Sequence, residues 1–362
     1  MKNNNSLCIL IPTYNEAESI IELLTEIKNY IHIDDYEVIV IDDNSPDGTS
    51  KIVNDFSKIS GNNFVRCITR HWSKGLSSAV VEGIASTAKD IICVIDGDSQ
   101  HDPKDISKMH NIFINNEFDL IVGSRFLDSE ISESLSKERN WLSNTGIKIC
   151  NYISSYKIND PLSGFFMTNR HTIDPYLERL YKPGFKILFD FLMIKPGLRV
   201  KDFQINFRNR TKGQSKIDFS ILMSLPGQII ENKSNGLISS LFVMFACVGS
   251  IGVLVHLGSL ALMLFLGVNF YFSNIIGTLL AMTSNYLLNN LITFFNIHNT
   301  FAKKIKGYIK YLLMNSISIL ANIGISSNFY LRDYSEITSA LIGIFAGLLL
   351  NYMLSRNLVF NK

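Results

Sequence analysis

At 362 residues the chain has room for two or three domains, and its 34 Lys and Arg against 32 Asp and Glu leave a formal net charge of +2. That balance gives no broad basic surface, and no basic run interleaves with aromatics, which argues against a nucleic-acid partner. The scattered cysteines Cys8, Cys67, Cys93, Cys150 and Cys247 form no CxxC pair, which argues against a disulfide frame or a zinc site.

Leu7 to Ile11 reads as a buried strand broken by Pro12, with Thr13, Tyr14, Asn15 and Glu16 leading into an amphipathic helix through Tyr30. Glu37 to Ile41 is a second strand, ending in Asp42 and Asp43 ahead of the turn Asn44 to Gly48 and another helix. Phe64 to Thr69 and Gly75 to Ala88 repeat the pattern as strand and helix. Then comes the strand Ile91 to Ile95, which stops abruptly at Asp96, Gly97 and Asp98, with Gln100 just beyond. This rhythm argues for a parallel sheet with right-handed crossovers and ligands outside the carboxyl ends of the strands. There is no GxGxxG after the first strand and no GxxxxGK[ST], so dinucleotide binding and P-loop hydrolysis are disfavoured.

Two carboxylates one residue apart, followed by an amide oxygen, make a hard-oxygen site suited to magnesium or manganese carrying a diphosphate. A solvated acidic turn is the alternative for Asp96 and Asp98. Asp43 is placed to accept hydrogen bonds from a ribose or base edge, or else to cap the following helix, and Tyr14 to stack on the base. Further on, Leu120 to Gly123 forms a short strand running into Ser124 and Arg125, and Lys137, Arg139 and Trp141 precede a helix from about Ser143. In the loop Asp160 to Phe166, Gly164 before two aromatics marks either a tight backbone approach beside an acceptor pocket or a packing corner. A helix from Gly184 to Phe191 carries Lys186 and Asp190, and Phe203 to Phe207 is a strand. The basic loop Arg208 to Lys216 follows, suited to phosphates or to anionic lipid headgroups.

Beyond about Asn235 the chain turns apolar in stretches of bilayer length. Four spans are expected, roughly Ile238 to Leu266, Tyr271 to Phe295, Tyr308 to Ser326 and Ile337 to Leu358. Lys303, Lys304, Lys306 and Lys310 sit between the second and third, which by the positive-inside rule makes that loop, both termini and the soluble domain cytoplasmic. The segment NYLLNNLITF, Asn285 to Phe294, recurs as NYMLSRNLVF, Asn351 to Phe360, the mark of a duplicated helix pair. Asn285, Asn289, Asn290 and Asn351 are expected to hydrogen-bond between helices or to lie at the membrane interface.

The ordered motifs PTYNE, IDDNSPDGT, KGLSSAV, DGDSQHDP, VGSRF, SGFF and RxKGxSK resemble glycosyltransferase family 2, specifically the polyprenyl-phosphate enzymes similar to dolichol-phosphate mannose synthases. The resemblance covers nearly all of residues 6–220, and the apolar half resembles the GtrA-like membrane domain carried by some of them. It implies a Rossmann-like GT-A α/β catalytic domain over 1–218, an interfacial amphipathic segment over 219–235, and an all-α transmembrane domain of four helices over 236–362. By the same resemblance Pro12, Tyr14, Glu16 and Asp43 hold the nucleoside, while Asp96, Asp98 and Gln100 hold Mg2+ or Mn2+ and the diphosphate. Lys186 reaches the donor diphosphate, and Arg125, Arg139, Ser143 and Arg210 grip the lipid phosphate. The implied donor is GDP-mannose and the implied acceptor a polyprenyl phosphate in the bilayer, with a UDP-sugar enzyme or a membrane scaffold or lipid-linked sugar flippase as alternatives. Gly97 and Ser77 depart from the residues usual in the family.

Overall fold

The computed structural model describes the chain apart from residues 1–4, 73–74, 126–146, 149, 155, 181–185, 209–217, 235–236, 294–299 and 355–362. It divides into two compact units, 1–216 and 217–362.

The first unit is built on a seven-stranded sheet of order β3-β2-β1-β4-β6-β5-β7. Its strands are β1 (Leu7–Thr13), β2 (Tyr36–Asp42), β3 (Val65–Thr69), β4 (Ile91–Val94), β5 (Leu120–Ser124), β6 (Phe166–Asn169) and β7 (Val200–Gln204). The strand order reverses between β1 and β4, which places a ligand crevice at their carboxyl ends. β1 is apolar on both faces because both are covered. Leu7, Ile9 and Ile11 face one layer, formed with α1 (Ile20–Tyr30), α2 (Thr49–Ser57) and α4 (Lys104–Asn115). Cys8 and Leu10 face the other, formed with α3 (Leu76–Ala85) and α5 (Ile187–Ile194). Burial in the central strands pushes the Cys8 thiol up to about 12, so it is an inert apolar residue.

Three departures from the sequence reading have physical causes. β1 continues through Pro12 to Thr13, with Pro12 in register with Ile41. The Leu10 carbonyl accepts from Ile95 on the β4 side while the Thr13 carbonyl accepts from Asp43 on the β2 side. Pro12 shares the parity of Leu10, so its missing donor faces β4, whose pairing with β1 has already ended at Leu10. The sheet is also mixed: β6 lies antiparallel between β4 and β5. Finally β7 occupies Val200–Gln204, upstream of the expected Phe203 to Phe207, and Phe207 instead makes an isolated antiparallel bridge to His101.

The second unit is helical. α6 (Asp218–Lys233) contains Pro226 and is followed by α7 (Ser240–Phe265) and α8 (Phe270–Leu288), which ends in a π turn over Asn289–Thr293. Next come α9 (Phe301–Met314), α10 (Ser316–Tyr330) and α11 (Glu336–Leu354). Among the described residues Ser240–Phe265 alone is long and apolar enough by itself to cross a bilayer. Phe301–Leu313 and Ser318–Tyr330 pass that test only together, bent by 56°. The third expected span, Tyr308 to Ser326, is therefore not one straight helix. Asn315 at φ −96° and ψ 5° interrupts it.

One set of interhelical polar contacts involves residues besides the four expected asparagines. Asn274 Oδ1 accepts from His256 Nε2 at 2.9 Å, and its Nδ2 donates to Ser326 Oγ at 2.8 Å, joining α7, α8 and α10. Asn285 instead fills the notch left by Gly252, where a Cβ would come 2.2 Å from its Oδ1. Asn289 and Asn290 are buried, and the Asn351 side chain lies outside the described residues.

Candidate active site

The crevice at the ends of β1, β2 and β4 is assembled from loops that satisfy one another. Asp42 accepts from the Ser45 backbone at 2.9 Å and from the Ser45 and Thr13 hydroxyls. Ser45 Oγ then accepts from the Asn15 backbone at 2.9 Å, Thr49 Oγ1 from Glu16 at 3.1 Å, and Asp47 Oδ2 from Ala17 at 3.0 Å. The hydroxyls and carboxylate of SPDGT thus fix the backbone of PTYNE. Asn15, Asn44 and Ser99, one after each of the three strands, adopt left-handed φ of 60°, 53° and 60°. Such backbone is costly for residues other than glycine, and it clusters at ligand-binding turns.

Within this frame Tyr14 is 44 % exposed, as a ring that meets a ligand face must be. Pro12 lies half-buried at the end of β1, and Glu16 Oε2 accepts from Ser19 Oγ at 3.0 Å. Asp43 is deeply buried, with Oδ1 receiving Arg70 Nη1 at 2.7 Å and Oδ2 receiving the Gly75 backbone at 2.7 Å. It therefore fastens the Gly75 backbone just ahead of α3 and does not cap the helix next in sequence, whose N-cap is Gly48. Arg70, whose side chain is 1 % exposed, also reaches Glu82 at 2.9 Å and Ser78 at 2.7 Å. Sequence reasoning passed over Arg70; an arginine immediately after a strand end, in the row where Asp43 follows the neighbouring strand, was the available signal.

Asp96 leaves β4 beside Gly164, where a Cβ would lie 2.2 Å from Asp96 Oδ2. Of the two readings open for Gly164, the tight approach holds, and it is against the acidic turn. A Cβ on Gly97 would come 2.9 Å from Thr13 Cγ2, so the departure from the family's usual residue is matched by local space. His101, 3 % exposed, brings Nε2 to 3.4 Å from Asp96 Oδ2. Burial pushes the Asp96 carboxyl up, but the His101 hydrogen bond together with the nearby His101, Lys186 and Arg125 charges outweighs it and holds the group below the usual carboxylate range. It is ionised at neutral pH.

Asp98 Oδ1 accepts from the Gln100 backbone at 3.1 Å, and Gln100 Nε2 lies 3.4 Å from the Arg208 carbonyl. Among the described residues no three His, Cys, Asp or Glu side chains gather as a metal cage. An ionised Asp96 one residue from Asp98, in a loop open to a ligand's own oxygens, fits a cation of the magnesium type, which is usually held by one or two carboxylates plus phosphate oxygens and water.

Arg125 is gripped by buried Asp160, Nε to Oδ2 at 2.7 Å and Nη2 to Oδ1 at 3.2 Å. Lys186 Nζ donates to the Leu162 carbonyl at 2.8 Å. Asp160 and Leu162 belong to the loop that also carries Gly164, so one segment sets both cations and the acidic turn. Arg139, Ser143 and Arg210 lie outside the described residues.

Residues 8–177 match the family described as Glycosyl transferase family 2, and residues 244–360 match the GtrA/DPMS transmembrane domain. A dolichol-phosphate mannosyltransferase of Pyrococcus furiosus is 32% identical over 307 residues, covering 83% of this chain and 85% of that protein. Proteins of the same description from Mycosarcoma maydis and Saccharomyces cerevisiae are 26% and 27% identical over 241 and 233 residues, each spanning 62% of this chain and, respectively, 78% and 85% of the relative.

Proposed function

Because the chain belongs to the dolichol-phosphate mannosyltransferases of glycosyltransferase family 2, with a GtrA/DPMS transmembrane domain after the catalytic one, we propose that it transfers a single mannose from GDP-mannose to a polyprenyl phosphate with inversion. The observation that carries this reading is the loop from Asp160 to Gly164, which holds Arg125 through Asp160 and Lys186 through the Leu162 carbonyl and packs Gly164 against Asp96. Two anionic substrates must meet there, and arginine and lysine offset that repulsion.

In this reading residues 1–218 are the catalytic domain, 219–235 lie along the interface and 236–362 cross the bilayer four times, with the catalytic domain and both termini cytoplasmic. Pro12, Tyr14, Glu16 and Asp43 receive the nucleoside, and Asp96, Asp98 and Gln100 hold Mg2+ or Mn2+. A bound divalent cation supplies Lewis-acid charge to the leaving diphosphate. Lys186 orients the same diphosphate. Arg125, Arg139, Ser143 and Arg210 bind the lipid phosphate. Its oxygen is already anionic at neutral pH, so no strong general base is needed, and Asp98 positions the reactants.

Competition between nucleotides tests the donor. GDP is expected to inhibit mannose transfer at least about ten times more strongly than UDP, a difference of about 1.4 kcal/mol. Stronger inhibition by UDP would contradict the GDP-mannose assignment.

A further inference from the structure

The segment just after β7 is fastened to the acidic turn by an unusual number of contacts for so short a piece of chain. Phe207 bridges His101, and the Arg208 backbone donates to the Gln100 carbonyl at 2.8 Å. Arg208 Nη1 reaches both Glu26 oxygens at 2.9 and 2.8 Å, and Nη2 reaches Asp102 at 2.9 Å. These contacts set the Phe207 ring between two groups with different tasks. On one side its centroid is 5.3 Å from the His101 imidazole, at 67° edge-on, and His101 is the residue behind Asp96. On the other, the Arg125 guanidinium carbon stands 5.2 Å from the ring centroid, within the range of a cation–π contact.

Asp160 fixes Arg125 in its plane at one edge, and the Phe207 face fixes it from a second direction. Resting on the functional reading above, we infer that Phe207 is a positioning residue that sets the acceptor-side Arg125 in register with the donor-side Asp96. The ring touches neither substrate. It acts through the cation it holds and through the imidazole that backs the carboxylate. A leucine fills similar apolar space but has no π face for the guanidinium, whereas tyrosine keeps the face.

The test is full steady-state kinetics on the full-length enzyme in detergent with polyprenyl phosphate, for Phe207→Leu and Phe207→Tyr, together with direct GDP binding. Phe207→Leu is expected to raise the KM for polyprenyl phosphate or lower kcat by about fivefold or more, the size of a partly desolvated cation–π contact. GDP affinity is expected to stay within about twofold of wild type, and Phe207→Tyr to recover most of the loss. In the Phe207→Leu background an added Arg125→Gln change is expected to cost less than it does alone, because each change removes the same cation–π contact. Wild-type kinetics in Phe207→Leu would overturn the inference, and so would equal damage in Leu and Tyr or a loss confined to GDP binding. Should Leu not fold, Phe207→Met makes the same comparison. A wild-type enzyme that binds GDP but passes no sugar to polyprenyl phosphate contradicts the functional reading and this inference with it, while an active wild type with unaltered variants contradicts this inference alone.

Discussion

Asp96 and Gly164 share a space with no room for another carbon, since a Cβ would stand 2.2 Å from a carboxylate oxygen. Gly164→Ala is therefore expected to displace Asp96 and lower kcat by about 100-fold, the cost of an ångström-scale misplacement, while circular dichroism of the purified protein stays unchanged. Activity near wild type would show that the turn can give way. Asp98→Ala is expected to remove metal-dependent transfer altogether. A buried histidine adds a separate pH dependence to stability. His110, buried on α4 with Nε2 3.1 Å from the Asn5 carbonyl, is pushed by burial below its ordinary 6.5, although the Asn5 contact opposes this. A base with a depressed folded value takes its proton in the unfolded chain first, so its contribution is complete above 6.5 and is lost as pH falls below it. Lowering the pH from about 7 to about 5 is expected to cut the Tm of wild type more than that of His110→Gln; equal declines would contradict this. Asp96 and Asp98 were legible in the sequence because their motif is contiguous. Arg70, Asp160 and Phe207 were not given roles, because partners that fix them lie in other segments, 27 residues away for Arg70–Asp43 and 35 for Asp160–Arg125, and His101 was passed over although Asp96 is only five residues away.

The same logic holds for whole elements. Strands β1 to β4 were readable from apolar runs closed by acids or turns, since β1, β2 and β4 are central and largely buried, while β3 lies at the sheet edge with only Val65 fully buried. β6 was not, because four residues, FMTN, following Gly164 and Phe165 carry no periodicity, and its place between β4 and β5 is fixed by antiparallel pairing on both sides. Pro12 misled because only the side of the strand on which the missing donor falls decides whether proline is tolerated. In the helical unit, hydropathy gave the apolar stretches but not the bend of 56°. The His256, Asn274 and Ser326 contacts are a polar link among α7, α8 and α10 that the hydropathy pattern does not reveal. Asn274→Leu is expected to destabilise that unit by about 1 kcal/mol, seen as a lower Tm in detergent with the transfer rate per folded molecule kept within about twofold. An unchanged Tm would show that the contacts contribute nothing.

At the scale of the molecule, two units of different solvent character are carried on one chain, a sheet domain with an ionised crevice and an apolar helical domain. That pairing matches the chemistry of a reaction whose donor is water-soluble and whose acceptor is dissolved in a bilayer. It also explains the low net charge, because the cations that matter are few and placed, like Arg125 and Lys186, instead of spread over a surface. The most direct measurement is transfer of radiolabelled mannose from GDP-mannose to polyprenyl phosphate in vesicles holding the full-length protein, with and without manganese, beside Asp98→Ala. Lipid-extractable label that requires the metal and vanishes in Asp98→Ala is the result predicted. Label that forms equally without metal, or that persists in Asp98→Ala, would contradict the assignment of the acidic turn as the centre of a mannosyl transfer.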